Sequence, residues 1–251
     1  MPWRNRLERA TVGEGRCAKC SGPDEIKRST MATYDAQWGG HDEAAASERR
    51  KRLAPVSDPL LSMVMPLADK VVVDLGMGTG TLAFRAMELS APRRTVGVDF
   101  STTGLRVARA VSRHSRFREM DVEMVKGDLE RLPLARRSAD VVVSQATVNL
   151  IPDKAAVFSE IARVAKSGAK IAISDAFRTS RGAQDGSWEQ CIGGAITVTE
   201  FSTMALNSGL IILGQTDLTQ VVRQLVSSKR WEWPEFLEHN MDYRAFMMMR
   251  S

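Results

Sequence analysis

Three consecutive β-branched residues, Val71-Val72-Val73, run into Asp74-Leu75 and then into the turn Gly76-Met77-Gly78-Thr79-Gly80. The first part reads as a buried strand, since β-branched side chains suit a pleated, packed surface. The helix that follows begins near Thr81. Alternating glycines between a strand and a helix tolerate positive φ and let a ligand approach the backbone closely. A turn of this kind is a ligand seat when acidic residues follow it at the right distances.

Two details argue against a dinucleotide in that seat. The dinucleotide pattern is G-x-G-x-x-G, whereas here the third glycine is Gly80 and Thr81 stands where that pattern wants one. Asp74, two residues before the first glycine, would repel a pyrophosphate and attract a ligand carrying an ammonium and a sulfonium. S-adenosylmethionine is such a ligand.

The glycine turn opens an alternation of short apolar runs and helical patterns. Strands are expected at 71–75, 95–99, 122–126, 140–144 and 170–174, and helices at 81–89, 102–114 and 153–165, the last stopped by Gly168. Apolar strands separated by helices of this length imply a parallel sheet covered on both faces. Further on, a helix over 199–208 ends at Gly209, and a strand follows at 210–213. The pattern from Val221 to Trp231 is helical, and Tyr243 to Met249 is expected as the last strand, so two late strands give the sheet an antiparallel edge. The expected fold class is therefore α/β, a doubly wound, mostly parallel seven-stranded sheet. Residues 1–30, polar and containing Cys17 and Cys20, read as a flexible arm. Residues 31–69 read as a helical cap broken into short pieces by Pro55, Pro59 and Pro66, and residues 70–251 as the ligand-binding domain.

At 251 residues the chain can bury one sizeable core, and 43% hydrophobic with 26% charged residues is ordinary for a soluble globular protein. A net charge of +5 raises the question of nucleic acid, but the basic residues are scattered among acids. The densest cluster, Arg49-Arg50-Lys51-Arg52, is expected on a solvated helix face. Three cysteines do not make a disulfide framework in a chain of this size and suit a reducing compartment. No stretch approaches the ~18 apolar residues of a membrane span, and no signal peptide is apparent. The expectation is a cytoplasmic protein acting on a small molecule, with no membrane or nucleic-acid partner. Nothing specifies an oligomeric state.

The second strand ends in Gly97-Val98-Asp99-Phe100, placing Asp99 25 residues after Asp74. A carboxylate there can accept hydrogen bonds from ribose hydroxyls. Gly127-Asp128-Leu129 follows the third strand, where an aspartate can accept from an adenine amine and the next backbone N–H can reach a ring nitrogen. The three acids are expected in register along the carboxyl edge of adjacent strands, where open α/β sheets bind ligands.

Asp74 to Gly80, Gly97-Val98-Asp99 and Gly127-Asp128 together resemble the motifs of class I S-adenosylmethionine-dependent methyltransferases. Three downstream stretches, Ser144 to Lys154, Ile173-Ser174-Asp175 and Trp188 to Ala195, are similar to the arsenite methyltransferase branch of that family. The resemblance spans residues 70 to about 215. It implies S-adenosylmethionine as cofactor, bound by Asp74, Gly76, Met77, Gly78, Thr79, Gly80, Asp99, Phe100, Ser101, Gly127, Asp128, Leu129, Ser144 and Gln145. It also places Asn149, Trp188 and Cys191 at the acceptor, with Tyr34 of the cap closing over the methionine end. Asp175, at the end of the fifth strand, is the candidate catalytic residue, as a base or as an orienting group.

The branch holds trivalent arsenic with cysteine thiolates, which suit a soft centre. Cys191 matches the family cysteine before the double glycine, but Ala146 stands where the partner cysteine would be, and Met77 departs from the usual glycine turn. No zinc or other metal site is expected, since four ligands are needed and no second C-x-x-C or H-x-x-x-H exists. The reading is thus methyl transfer from S-adenosylmethionine to a small-molecule acceptor. The alternatives are a metalloid methyltransferase using Cys17, Cys20 and Cys191, and a non-catalytic module that only binds the cofactor.

Overall fold

A computed structural model describes residues 22–114, 116–179 and 188–251. Helices α1 (Pro23–Trp38) and α2 (Glu43–Ser62) precede a sheet whose elements run β1 (Val71–Leu75), α3 (Thr81–Ser90), β2 (Arg94–Asp99), α4 (Thr102–Ser112), β3 (Val122–Lys126) and β4 (Ala139–Gln145). A short 3-10 turn at Val148–Leu150 leads to α5 (Lys154–Val164), β5 (Ala165–Arg178), the two-residue β6 (Ile196–Thr197), α6 (Val198–Asn207), β7 (Leu210–Asp217), α7 (Thr219–Ser227), α8 (Pro234–Glu238) and β8 (Asp242–Arg250). Cys17 and Cys20 lie outside the described residues. No helix among the described residues is long and apolar enough to cross a membrane.

The seven long strands follow the order β3-β2-β1-β4-β5-β8-β7, and β6 pairs with the end of β5. After β1 the chain moves outward through β2 and β3, then returns to lay β4 on the other flank of β1. The carboxyl ends of β1 and β4 therefore bracket the point where strand order reverses, the place where an open α/β sheet forms a crevice.

Alternation along each strand sorts its side chains into two cores, because neighbouring residues point to opposite faces. Val72, Val141, Val143 and Ala172 pack with α2, α7 and α8; Val73, Leu75, Val142, Ile171 and Ile173 pack with α5 and α6. A third cluster joins α3 to α4 through Phe84, Leu105, Val107 and Phe117. Helix starts follow the side chains at their caps: Ser101 accepts from Gly104 N, Asp153 from Ala156 N, and Thr197 with Glu200 forms a reciprocal box.

The structure departs from the sequence reading in four places. The cap is not broken at its prolines, for α2 runs unbroken through Pro55 and Pro59. Its buried stripe, Leu53, Val56, Leu60 and Leu61, gains more from packing than two missing backbone donors cost. Gly168 does not stop α5; the helix ends at Val164 and Gly168, at φ 74°, lies in the irregular start of β5, where the register to β4 shifts. The two late strands do form an antiparallel edge, but not in chain order, since β8 is inserted between β5 and β7 and pairs antiparallel with both. Finally, of the Arg49–Arg52 run only Lys51 is fully exposed. Arg50 is buried and bonds Glu88 on α3 at 3.0 Å, so the helix face expected in solvent is turned inward.

β8 is anchored by an aromatic cluster. Phe246 lies 4.6 Å from Phe201 and 5.4 Å from Phe177, ring centre to ring centre, and is 2% exposed. Phe246→Ala should cost about 3–5 kcal/mol, read as a lower urea midpoint with native far-UV dichroism retained in buffer. A loss below ~1 kcal/mol would mean the cluster repacks around the deletion.

Candidate active site

The crevice above β1 and β4 is a cavity of about 850 Å³. Its floor is the glycine turn. Gly76 (φ 74°) and Gly78 (φ 54°) both adopt backbone that side chains resist, and a Cβ on Gly76 would lie 2.2 Å from Thr147 Cγ2 while one on Gly78 would lie 2.8 Å from Trp38. Bare backbone is thus required on both counts, conformation and space.

Two buried carboxylates brace this floor. Asp99 accepts from Gly78 N at 2.8 Å and from Ser101 N at 2.7 Å, tying the turn to the end of β2. Asp74 accepts from Ala83 N in the first turn of α3 at 3.0 Å. Both line the cavity, and they are 1% and 3% exposed. Burial pushes Asp74 up to about 7, partly opposed by the Ala83 bond and reinforced by Asp99. Burial likewise raises Asp99 to about 6, against the bonds from Ser101 and Gly78. Carboxyls held this reluctantly as anions favour a ligand that brings positive charge or hydroxyl donors.

Asp128 is exposed, and its carboxylate takes an ion pair from Lys27 of α1 at 2.7 Å. Gly127, Asp128 and the buried Leu129 line the same cavity. The three acids are not level. Asp74 pairs in register with Gly97, and Asp99 with Lys126, so each carboxylate stands two residues farther out than the last. They form a diagonal across the strand tips, because the strands end at staggered heights.

Helix α1 covers the cavity. Trp38 lies against Gly78 and Gly104, and Tyr34 packs on Trp38 with ring centres 5.0 Å apart. Asp35 accepts from the Ser101 hydroxyl and from Thr103 N at 3.2 Å, and Lys27 also bonds Glu130. Tyr34 O–H donates to Glu189 O at 3.3 Å. The indole Nε1 of Trp38 is buried without a hydrogen-bond partner and its ring lines the cavity.

Of the residues expected from the sequence, Tyr34, Asp74, Gly76, Met77, Gly78, Thr79, Asp99, Phe100, Gly127, Asp128, Leu129, Gln145 and Cys191 meet at this one cavity. Gly80, Ser101 and Ser144 sit just behind it: Gly80 caps α3, Ser101 caps α4, and Ser144 Oγ donates to Leu75 O at 2.9 Å. Asp175, Asn149 and Trp188 are not on the cavity wall. Asp175 is 1% exposed and accepts from Thr147 N, Asn149 N, Asn149 Nδ2 and Ala176 N at 2.9–3.1 Å. Burial raises it to about 6, and its donors fasten the 147–149 turn beneath Gly76. Trp188 donates Nε1 to Leu150 O at 2.9 Å, and the Lys154 ammonium lies 5.0 Å from its ring centre.

Cys191 and Ala146 are neighbours, with the thiol 3.8 Å from Ala146 O. Both residues have positive φ, 64° and 52°, a costly conformation that tends to gather at ligand sites. Burial pushes the Cys191 thiol well above its ordinary range, reinforced by Asp175. Among the described residues no group of acids, histidines and cysteines is arranged for a metal.

Contributors that escaped the sequence reading include Trp38, Thr147, and the pair Arg49 and Arg52 on α2, all lining the cavity. The i, i+4 spacing of Tyr34 and Trp38 was the available signal for a cap face aimed at the glycine turn. Trp231 and Trp233, also on the wall, follow α7, which ends at Ser227 and not at Trp231.

Comparison with known proteins agrees with this geometry. A methyltransferase-domain family profile matches residues 67–224. The arsenite methyltransferase of Halobacterium salinarum is 30% identical over 203 residues, covering 78% of this chain and 50% of that protein. A malonyl-[acyl-carrier protein] O-methyltransferase from a Marinomonas species is 31% identical over 149 residues, covering 59% of this chain and 52% of that one. Among solved structures, geranyl diphosphate methyltransferase in complex with S-adenosylmethionine superposes with a TM-score of 0.67 at 17% identity, covering 83% of this chain and 90% of that chain. The chain spans about half the length of the curated relatives it matches. Glycine turn, staggered acids and profile match agree: the chain belongs to the methyltransferase-domain family, within the class I S-adenosylmethionine-dependent group and related to its arsenite branch.

Proposed function

We propose that this chain transfers a methyl group from S-adenosylmethionine to a small-molecule acceptor held under α1 and α2. The observation that carries the reading is the pair of buried, cavity-facing carboxylates, Asp74 and Asp99, beside bare glycine backbone at the strand-order reversal. Asp99 would accept from the ribose hydroxyls, Asp128 and the Leu129 N–H would meet the adenine, and Asp74 with the turn would hold the methionine end. When bound, the sulfonium supplies both the activated methyl group and its own leaving group.

The protein's share is then proximity, orientation and exclusion of water. Trp38 and Tyr34 cover the seat, and Gln145, fixed by a 2.8 Å bond with Ser57 of α2, marks where cofactor and acceptor sides meet. Asp175 acts as a positioning residue, since three of its four donors, Thr147 N, Asn149 N and Asn149 Nδ2, belong to the turn under Gly76 and it does not face the cavity.

The neighbourhood of Ala146 and Cys191 supports a non-metalloid acceptor. Ala146 occupies the place beside Cys191 where the arsenite branch is expected to carry its second thiol, and one thiol does not hold a three-coordinate arsenic. Arsenite offered with labelled cofactor should yield no methylated arsenic. Methylation that disappears on replacing Cys17, Cys20 and Cys191 by serine would overturn this.

Calorimetric titration with S-adenosylhomocysteine should detect binding by the wild type and at least about tenfold weaker binding by Asp99→Ala, the loss of a charged hydrogen-bond acceptor. Absence of binding, or equal binding by the variant, would sink the assignment.

Proton linkage gives a separate check. Asp74, raised from 3.8 to about 7 in the ligand-free protein, is partly protonated at neutral pH, and a cationic ligand favours its ionised form. Binding at pH 7 should therefore release protons, measured as a dependence of the binding heat on buffer ionisation, and Asp74→Asn should abolish most of the release. The same raised value means that the group's contribution to the ligand-free fold is present below pH 3.8 and lost as pH rises through 7. Melting temperature should accordingly decline less steeply over that window in Asp74→Asn.

A further inference from the structure

Two guanidinium groups on the cavity wall have no ion-pair or hydrogen-bond contact among the described residues. Arg49 and Arg52 lie three residues apart on α2, so they share a helix face, and both line the cavity. Neither forms an ion pair or hydrogen bond with any described residue, and Arg52 Nε is a buried donor left without an acceptor. Burial draws Arg49 below the ordinary guanidinium range, opposed in part by Tyr34 and Glu232 and reinforced by the neighbouring charge of Arg52.

Elsewhere the chain pairs its recessed arginines. Arg50 bonds Glu88 at 3.0 Å, Arg85 bonds Asp58 at 2.7 Å, and Arg163 bonds Glu160 at 2.6 Å. A recessed cation with no counter-ion in contact is costly, and here two lie on one helix face lining space large enough for a ligand, with Glu232 acting on Arg49 only without contact. Their planar forks match the oxygens of a carboxylate or phosphate, which they can engage bidentately.

The surrounding wall limits what carries that anion. Trp231 and Trp233, with ring centres 5.1 Å apart, and Leu53 line the same cavity, a surface suited to an apolar or aromatic body. Ser57, five residues along α2 from Arg52, bonds Gln145 at the tip of β4. At 1.5 Å per residue the arginines are set back from that tip by about 7–12 Å along the helix. The spacing is that of a molecule with its nucleophile near Gln145 and Ala146 and its charged end at α2.

We propose that Arg49 and Arg52 form an oxyanion subsite of the acceptor pocket, and that the methyl acceptor is a small apolar molecule bearing a carboxylate or phosphate. The substrate class rests on the methyltransferase reading above; the anion site itself does not.

Matched probes separate the two. Benzoate against benzamide, and phenyl phosphate against phenol, are titrated into the full chain with and without S-adenosylhomocysteine, followed by calorimetry and by tryptophan fluorescence. One or both anions should bind at least about tenfold more tightly than the neutral partner, and which anion is preferred distinguishes a carboxylate from a phosphate acceptor. Arg49→Gln and Arg52→Gln should each remove most of that preference and leave S-adenosylhomocysteine affinity unchanged. Arg49→Lys should restore part of it, since the charge returns without the fork. Thermal melts of each variant identify any that lose the anion by unfolding, and the lysine variant then decides. Equal binding of anion and neutral probe, or anion preference undiminished in both glutamine variants, would overturn the subsite. Failure of S-adenosylhomocysteine to bind alongside a persisting anion preference would leave the arginine site standing and remove only the methyl-transfer assignment.

Discussion

The site depends on a carboxylate reaching across from one strand to hold the loop of another. Asp99, at the tip of β2, receives the N–H of Gly78 in the turn after β1, while its other oxygen receives the N–H of Ser101. Removed from water, that carboxylate keeps its charge at a cost, and the bonds it accepts fix a glycine-rich backbone whose only large side chain, Met77, is buried in the α3–α4 cluster. Asp74 does the same for the entry of α3. The floor of the cavity is therefore rigid without being filled, as a ligand seat has to be.

How much of this was legible beforehand depends on how local the cause was. The glycine turn, the acids after β2 and β3 and the buried strand runs are short-range patterns, and they sit in the structure where the pattern places them. The diagonal of the acids was not readable, because strand-end stagger is set by pairing register between segments more than twenty residues apart. The proline-rich stretch of α2 misled for a similar reason. Propensity at Pro55 and Pro59 argues for a break, but the packing of Leu53, Val56, Leu60 and Leu61 is a tertiary gain that local preference does not register. Arg49 and Arg52 look like surface charge until Arg50 is seen to be committed to Glu88, which fixes the rotation of the helix.

The two halves of the cavity are built differently. The half proposed for the cofactor is made of backbone, glycine and strand-tip carboxylates supplied by consecutive β-α units. The half proposed for the acceptor is made of side chains from the cap and from the segment after α7, with Cys191 and Ala146 between them. Relatives named for arsenite and for malonyl-[acyl-carrier protein] fit such a division. Elements outside the sheet can change their side chains without disturbing the turn on which the fold's ligand chemistry rests.

Helix α1 is fastened to the strand tips it covers, by Lys27 on Asp128 and Glu130 at one end and by Asp35 on Ser101 and Thr103 farther along. The Lys27 end of this attachment is a partly solvated ionic contact. Dissolved salt screens contacts of that kind. Ionic strength therefore acts on how firmly the roof is held at that end, while the buried carboxylate bonds of Asp74 and Asp99 beneath it are screened far less.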